Sequence, residues 1–117
     1  MKKYSIDYTI EALSQFKKYL NKRFSKYLVE SKNLHDGFQT IYRFPNNYGA
    51  SVVCHGGSYG GHDGLFEMAV IYFNGLSDDD WTINYSTPIT TDVMGFLSSE
   101  EVSAKLYLVK SLSDRIV

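Results

Sequence analysis

The chain offers one cysteine, Cys54, so no disulfide can form within it, and it reads as a protein of a reducing compartment. No window approaches 18 apolar residues, which argues against a membrane-spanning helix. The opening Met1-Lys2-Lys3-Tyr4-Ser5-Ile6-Asp7 starts basic but never enters an apolar run, so it is not read as a secretory signal, and a cytoplasmic home is expected. Prolines number two, and neither a repeat period nor a low-complexity run marks a linker. The 117 residues are therefore read as a single domain, 1–117.

Chemistry-bearing motifs are equally scarce. The glycine-rich stretch His55-Gly56-Gly57-Ser58-Tyr59-Gly60-Gly61-His62-Asp63-Gly64 has no lysine and joins two strand patterns, so it is not a phosphate-binding loop opening a helix. Ser58, His62 and Asp63 lie too close in sequence to be assigned triad geometry, and no G-x-S-x-G elbow exists. Cys54, His55, His62, Asp63 and Glu67 could in principle supply metal ligands, but they lack zinc-finger spacing and form no H-E-x-x-H helix. Asp78-Asp79-Asp80 lacks the calcium-loop pattern. The expectation is no catalytic residue, no metal and no cofactor.

What the chain does have is aromatic surface, with ten tyrosines and seven phenylalanines. Tyrosine is amphipathic and suits the rim of a core or a contact surface. The near-neutral net charge of −1 hides an asymmetry. Residues 1–33 carry eight basic and three acidic groups, and residues 34–117 carry four basic and ten acidic groups. A basic helix resting on an acidic body accounts for this without invoking a ligand.

Apolar spacing predicts the elements. Ile10, Leu13, Phe16, Leu20, Phe24, Tyr27 and Leu28 recur at three and four residues, predicting a helix over 8–31. Lys18, Lys22 and Lys26 then form a basic face opposite that stripe. Phe38, Thr40, Tyr42 and Phe44 alternate with polar or smaller neighbours as a strand, and Pro45-Asn46-Asn47-Tyr48-Gly49 reads as a hairpin loop. A returning strand over 50–55 puts Ala50, Val52 and Cys54 on one face, making Cys54 a small buried hydrophobe. Residues 65–73 form the clearest strand, apolar apart from Glu67, and Trp81, Ile83 and Tyr85 alternate in a fourth. A helical turn is expected over 90–95, with Val93, Met94 and Phe96 facing inward. A capping box at Ser98 and Glu101 opens a helix carrying Val102, Leu106, Leu108, Val109 and Leu112. The expected fold is α+β: a four-stranded antiparallel meander sheet with an N-terminal and a C-terminal helix packed on one face.

Several segments carry a resemblance. Asn47-Tyr48-Gly49-Ala50-Ser51-Val52-Val53, Gly57-Ser58-Tyr59-Gly60-Gly61, Asp63-Gly64-Leu65-Phe66-Glu67-Met68-Ala69-Val70, Tyr85-Ser86-Thr87-Pro88-Ile89-Thr90 and Asp92-Val93-Met94-Gly95-Phe96-Leu97 are the residues concerned. Over about residues 40–100 the chain resembles a family of small uncharacterised proteins encoded by phages and prophages of Gram-positive bacteria. The resemblance implies a phage accessory factor working in the host cytoplasm. With the scarcity of catalytic motifs, the expected function is a non-enzymatic protein-interaction module that binds and modulates a host protein, an anti-defence (anti-CRISPR) inhibitor being one version. The expected contact residues are Tyr59, His62 and Asp63 in the glycine-rich loop and Asp78, Asp79, Asp80 and Trp81 at the acidic turn. Two alternatives stand beside it: nucleic-acid binding through Lys18, Lys22 and Lys26, and a small metal-dependent enzyme around His55 and His62. Nucleic acid ranks below a host protein as partner, self-association is left open, and no membrane is expected.

Overall fold

The computed structural model describes residues 24–90 and 92–113. After a single 3₁₀ turn, Ser25–Tyr27, the chain forms β1 (Leu28–Leu34), β2 (Gly37–Arg43), β3 (Tyr48–Cys54), β4 (Phe66–Phe73), β5 (Trp81–Ile83), β6 (Met94–Leu97) and helix α1 (Ser99–Lys110), with a second 3₁₀ turn at Gly61–Asp63 before β4. All strand pairings are antiparallel, in the order β1-β2-β3-β4-β5, and β6 also pairs with β4.

The hairpins follow from local chemistry. His35 takes φ 57° in the two-residue connection His35-Asp36 between β1 and β2. Asn47 takes φ 69° between β2 and β3, a conformation asparagine tolerates better than most side chains. Asn46 fixes that second loop twice. Its Oδ1 accepts from the Tyr48 amide at 3.0 Å, and its Nδ2 donates to the carbonyls of Val109, Lys110 and Leu112 at 2.8–3.1 Å. The β2–β3 loop thus adds side-chain hydrogen bonds to the carbonyls at and just beyond the end of α1, where Val109 O also accepts from Leu112 N. At the other end of α1 the capping box is complete: Glu101 N donates to Ser98 Oγ and Ser98 N donates to Glu101 Oε1.

The sheet has one deeply packed face. Phe38, Tyr42, Phe44, Ala50, Val52, Cys54, Phe66, Met68 and Val70 bury against Val102, Leu106 and Val109 of α1, with Leu97 and Phe24 closing the edges. Each fully buried Phe, Leu or Val side chain contributes roughly 1.5–3 kcal/mol, so this face carries most of the domain's stability. The opposite face has a smaller cluster of Ile41, Ile71 and Phe73 with Val29 and Trp81 packed against it. There Arg43 lies over the Phe73 ring, 4.5 Å from its centroid.

β5 and β6 occupy the same edge of β4, pairing with Ile71–Phe73 and with Phe66–Met68 respectively. They act as one edge strand interrupted by the segment 84–93. The ladder continues one residue past β5, where Asn84 N donates to Val70 O at 2.8 Å. Then Asn84 Oδ1 accepts from both the amide and the hydroxyl of Ser86, turning the chain away. Pro88 has no amide to donate and cannot resume the ladder.

Several expectations need correction. The α+β class, the antiparallel meander and the C-terminal helix hold, but among the described residues the sheet has six strands rather than four. Most of the expected N-terminal helix, including Lys18 and Lys22, lies outside the described residues. Its last part does not: 25–27 is a 3₁₀ turn and 28–31 belongs to β1, so α1 is the only α-helix among the described residues, and Lys26 sits on the turn. Pairing of β1 along β2 supplies inter-strand backbone hydrogen bonds that outweigh the helical spacing of Phe24, Tyr27 and Leu28. The expected turn over 90–95 gives way to strand β6 at Met94, and Phe96 points out rather than in. The fourth expected strand stops at Ile83, leaving Tyr85 exposed beyond it. Leu108, placed on the inward arc of α1, is exposed. No helix among the described residues is long and apolar enough to cross a membrane.

Candidate functional site

The glycine-rich loop and β6 build one continuous surface feature. On β6, Met94 faces Met68 and Leu97 faces Phe66, so Gly95 and Phe96 together oppose the single residue Glu67. That extra residue is a β-bulge on an edge strand, a device that re-aims a side chain. Phe96 takes φ 57°, a left-handed conformation that is rare for a bulky side chain and costs about 1–2 kcal/mol. As a result the Phe96 ring stands 59% exposed.

Tyr59, 61% exposed, stands beside it, with ring centroids 6.5 Å apart and planes 29° from parallel. Its backbone is held on both sides. Tyr59 N donates to Glu67 Oε1 at 2.8 Å, and Tyr59 O accepts from Phe96 N at 3.2 Å. Close approach requires two glycines. A Cβ on Gly95 would lie 2.5 Å from Tyr59 Cβ, and one on Gly60, at φ 89°, would lie 2.9 Å from Phe96 Cα. Glu67, the one charged residue in β4, thus has a role: it clamps the loop opposite the bulge.

The base of the loop is tied down separately. Asp36 Oδ1 accepts from Gly56 N, joining the β1–β2 turn to the loop. The Gly56 amide is the main cause holding the Asp36 carboxyl below the ordinary carboxylate range, with smaller contributions from His55 and His62. The His35 and His55 rings lie 5.0 Å apart, and Ser58 accepts from His55 N while donating to His55 O. His55 Nδ1 accepts from Gly57 N at 3.0 Å, so one ring nitrogen is engaged within the loop. Burial pushes the Cys54 thiol up to about 11, with the Asp36 charge adding to it, which keeps the sulfur protonated. Among the described residues no group of three or more His, Cys, Asp or Glu side chains is arranged to hold a metal ion.

The expected contact residues do not form one surface. Tyr59, His62 and Asp63 are exposed at the end of the sheet where β4 begins. Asp78, Asp79 and Asp80 are exposed where β4 ends, about 24 Å away along an eight-residue strand. Trp81 is half-buried against Phe73 and its neighbours, not displayed. Asp78 is also not a free charge, since its carboxylate meets Arg43 Nη1 at 3.0 Å. Arg43 further donates to the carbonyls of Gly75, Leu76 and Ser77 and to Asn47 Oδ1, so it organises the acidic turn from beneath. Of the residues that build this feature, Phe96 was expected to face inward and Glu67 was weighed only as a metal ligand, not as a loop clamp. Glu67 was legible as an anomaly within an apolar strand, whereas nothing in the sequence signals the bulge.

No family model, curated protein or solved structure matches this chain.

Proposed function

We propose that this chain is a non-enzymatic protein-interaction module whose contact surface is the Tyr59–Phe96 platform. The observation that carries the proposal is an aromatic side chain, Phe96, held outward at a conformational cost. Strained backbone persists where surrounding structure enforces it, and it concentrates at ligand-contacting sites. Tyr and Phe are favoured anchors because they bring large area with few rotors, and this pair is already positioned before any partner arrives. At about 60% exposure each ring can remove on the order of 120 Å² from water, worth about 3 kcal/mol. Two such anchors reach the range of energetic hot spots.

The resemblance to phage and prophage proteins supports a host protein as the partner and the bacterial cytoplasm as the setting, with inhibition of a host defence as one version. The acidic turn at Asp79 and Asp80 is a second, outlying contact that steers an approaching basic partner. The test is affinity capture from a Gram-positive host lysate with mass spectrometry, comparing the native chain, Tyr59→Ser/Phe96→Gly and Asp79→Lys/Asp80→Lys. A protein held by the native chain should be lost with the aromatic double variant and weakened, in a salt-dependent way, by the charge reversal. Retention undiminished by Tyr59→Ser/Phe96→Gly would overturn the assignment of this surface.

A further inference from the structure

The turn Ser25–Tyr27 and the last turns of α1 enclose an open groove of about 280 Å³, lined by Phe24, Lys26, Tyr27, Tyr107 and Lys110 and by no residue of the aromatic platform. Its base is fixed: Phe24 is buried, and the Tyr27 ring sits edge-on against the buried Phe44 ring with centroids 5.1 Å apart. Two ammonium groups from distant parts of the chain converge on that one ring. Lys26 Nζ lies 5.2 Å and Lys110 Nζ 5.8 Å from the Tyr27 centroid. Tyr107 offers a second aromatic ring, 61% exposed.

Each lysine alone has a structural account. A cation over a tyrosine face is attractive, and a basic residue near a helix C-terminus is favoured. Both ammonium groups line the one groove, and among the described residues neither pairs with a carboxylate. An anion between them would satisfy both. Lysine acts as a compact point charge well suited to phosphate, and exposed rings bind flat heterocycles by stacking. The groove falls just under the usual lower limit of small-ligand pockets, roughly 300 Å³, which suits one small ligand rather than a polymer.

We propose that this groove binds a nucleoside monophosphate, with the phosphate held by Lys26 and Lys110 and the base on Tyr107. The experiment is calorimetric titration of the full chain at low salt with AMP, inorganic phosphate, adenosine and a short single-stranded oligothymidylate. AMP should bind saturably at one site, with a dissociation constant of roughly 0.1–1 mM. Inorganic phosphate and adenosine should each bind at least about tenfold more weakly, since each makes half of the contacts. Lys110→Ala should weaken AMP about tenfold, Lys26→Ala/Lys110→Ala should abolish it, and Tyr107→Ala should weaken AMP while leaving phosphate unchanged. Unchanged melting temperatures and far-ultraviolet circular dichroism identify variants that are still folded. Three results overturn the proposal: no saturable AMP binding at millimolar concentration, AMP binding unchanged in the folded double lysine variant, or phosphate binding equal to AMP. Oligothymidylate binding far tighter than AMP would overturn it in favour of a nucleic-acid track.

Discussion

Replacing Phe96 inverts the usual ranking of alanine and glycine. In a regular strand, glycine is less stable than alanine by roughly 0.5–1 kcal/mol, because it has more backbone freedom to lose. At φ 57° an L-residue bears a penalty of about 1–2 kcal/mol that glycine escapes. The difference leaves Phe96→Gly more stable than Phe96→Ala by about 0.5–1 kcal/mol. Relative to the native chain both variants lose the inner part of a ring that is 59% exposed, or about 80 Å² of apolar area and about 2 kcal/mol. Phe96→Ala retains the strain and so costs about that much, whereas Phe96→Gly costs about 1–1.5 kcal/mol. For scale, truncating the fully buried Phe66 to alanine should cost about 3–5 kcal/mol. Urea denaturation and thermal melts on the four proteins measure this, and the glycine–alanine gap corresponds to about 2–5 °C. The half-buried Val53, in the regular part of β3, provides the control: there Val53→Ala should be more stable than Val53→Gly. If Phe96→Ala matched or exceeded Phe96→Gly in stability, the left-handed bulge would not be a strained device and the argument for the platform would fail.

Arg43 is expected to matter far more than its salt bridge. Arg43→Ala removes donors to Gly75, Leu76, Ser77, Asp78 and Asn47 along with the stack on Phe73, and should cost about 2–3 kcal/mol. Asp78→Ala, which removes one exposed ion-pair partner, should cost under about 1 kcal/mol. Hydrogen exchange should show the amides of 74–80 losing protection in the first variant and not in the second, and equal costs would refute this account of the turn. Asp36 should make a small, pH-dependent contribution. Its folded pKa is depressed, so its stabilisation is present above the unfolded value of about 3.9 and is lost as pH falls through the lower folded value. The stability gap between the native chain and Asp36→Asn should therefore be open at pH 7, at under about 1 kcal/mol for so exposed a group, and should close as the carboxyl of the folded chain becomes protonated in acid. A gap independent of pH would show that the Gly56 contact is not what depresses the carboxyl.

Much of the sheet was legible because its signals are local. Alternation over 38–44 and 50–54 named the residues that face α1, down to the burial of Cys54. Ser98 and Glu101 announced the start of α1 through a motif that closes within one turn. The segment around Phe24 and Tyr27 shows the opposite case. Their spacing marked them correctly as packing residues, since Phe24 is buried and Tyr27 leans on Phe44, but the same spacing suits a helix and a turn leading into an edge strand. Choosing between those required knowing that β2 had a free edge for 28–34 to pair with, which the spacing of Phe24 and Tyr27 does not carry. The platform failed to show for a related reason: Phe96 is apolar, and apolar residues next to Met94 and Leu97 read as core until the register opposite Glu67 is known.

Sequence alone determined the class of the domain, most of the residues that bury together in β2, β3 and β4, the capped helix and the scarcity of catalytic motifs. These rest on side-chain chemistry and on periods of two and three to four residues, which any stretch of chain carries within itself. Tertiary structure alone decided that Gly95 and Phe96 share one partner residue, that Tyr59 stands beside them, and that lysines at positions 26 and 110 meet over one ring. Those juxtapositions join residues 28 to 84 positions apart, and only the pairing of the sheet and the docking of the helix onto it fix which of them meet.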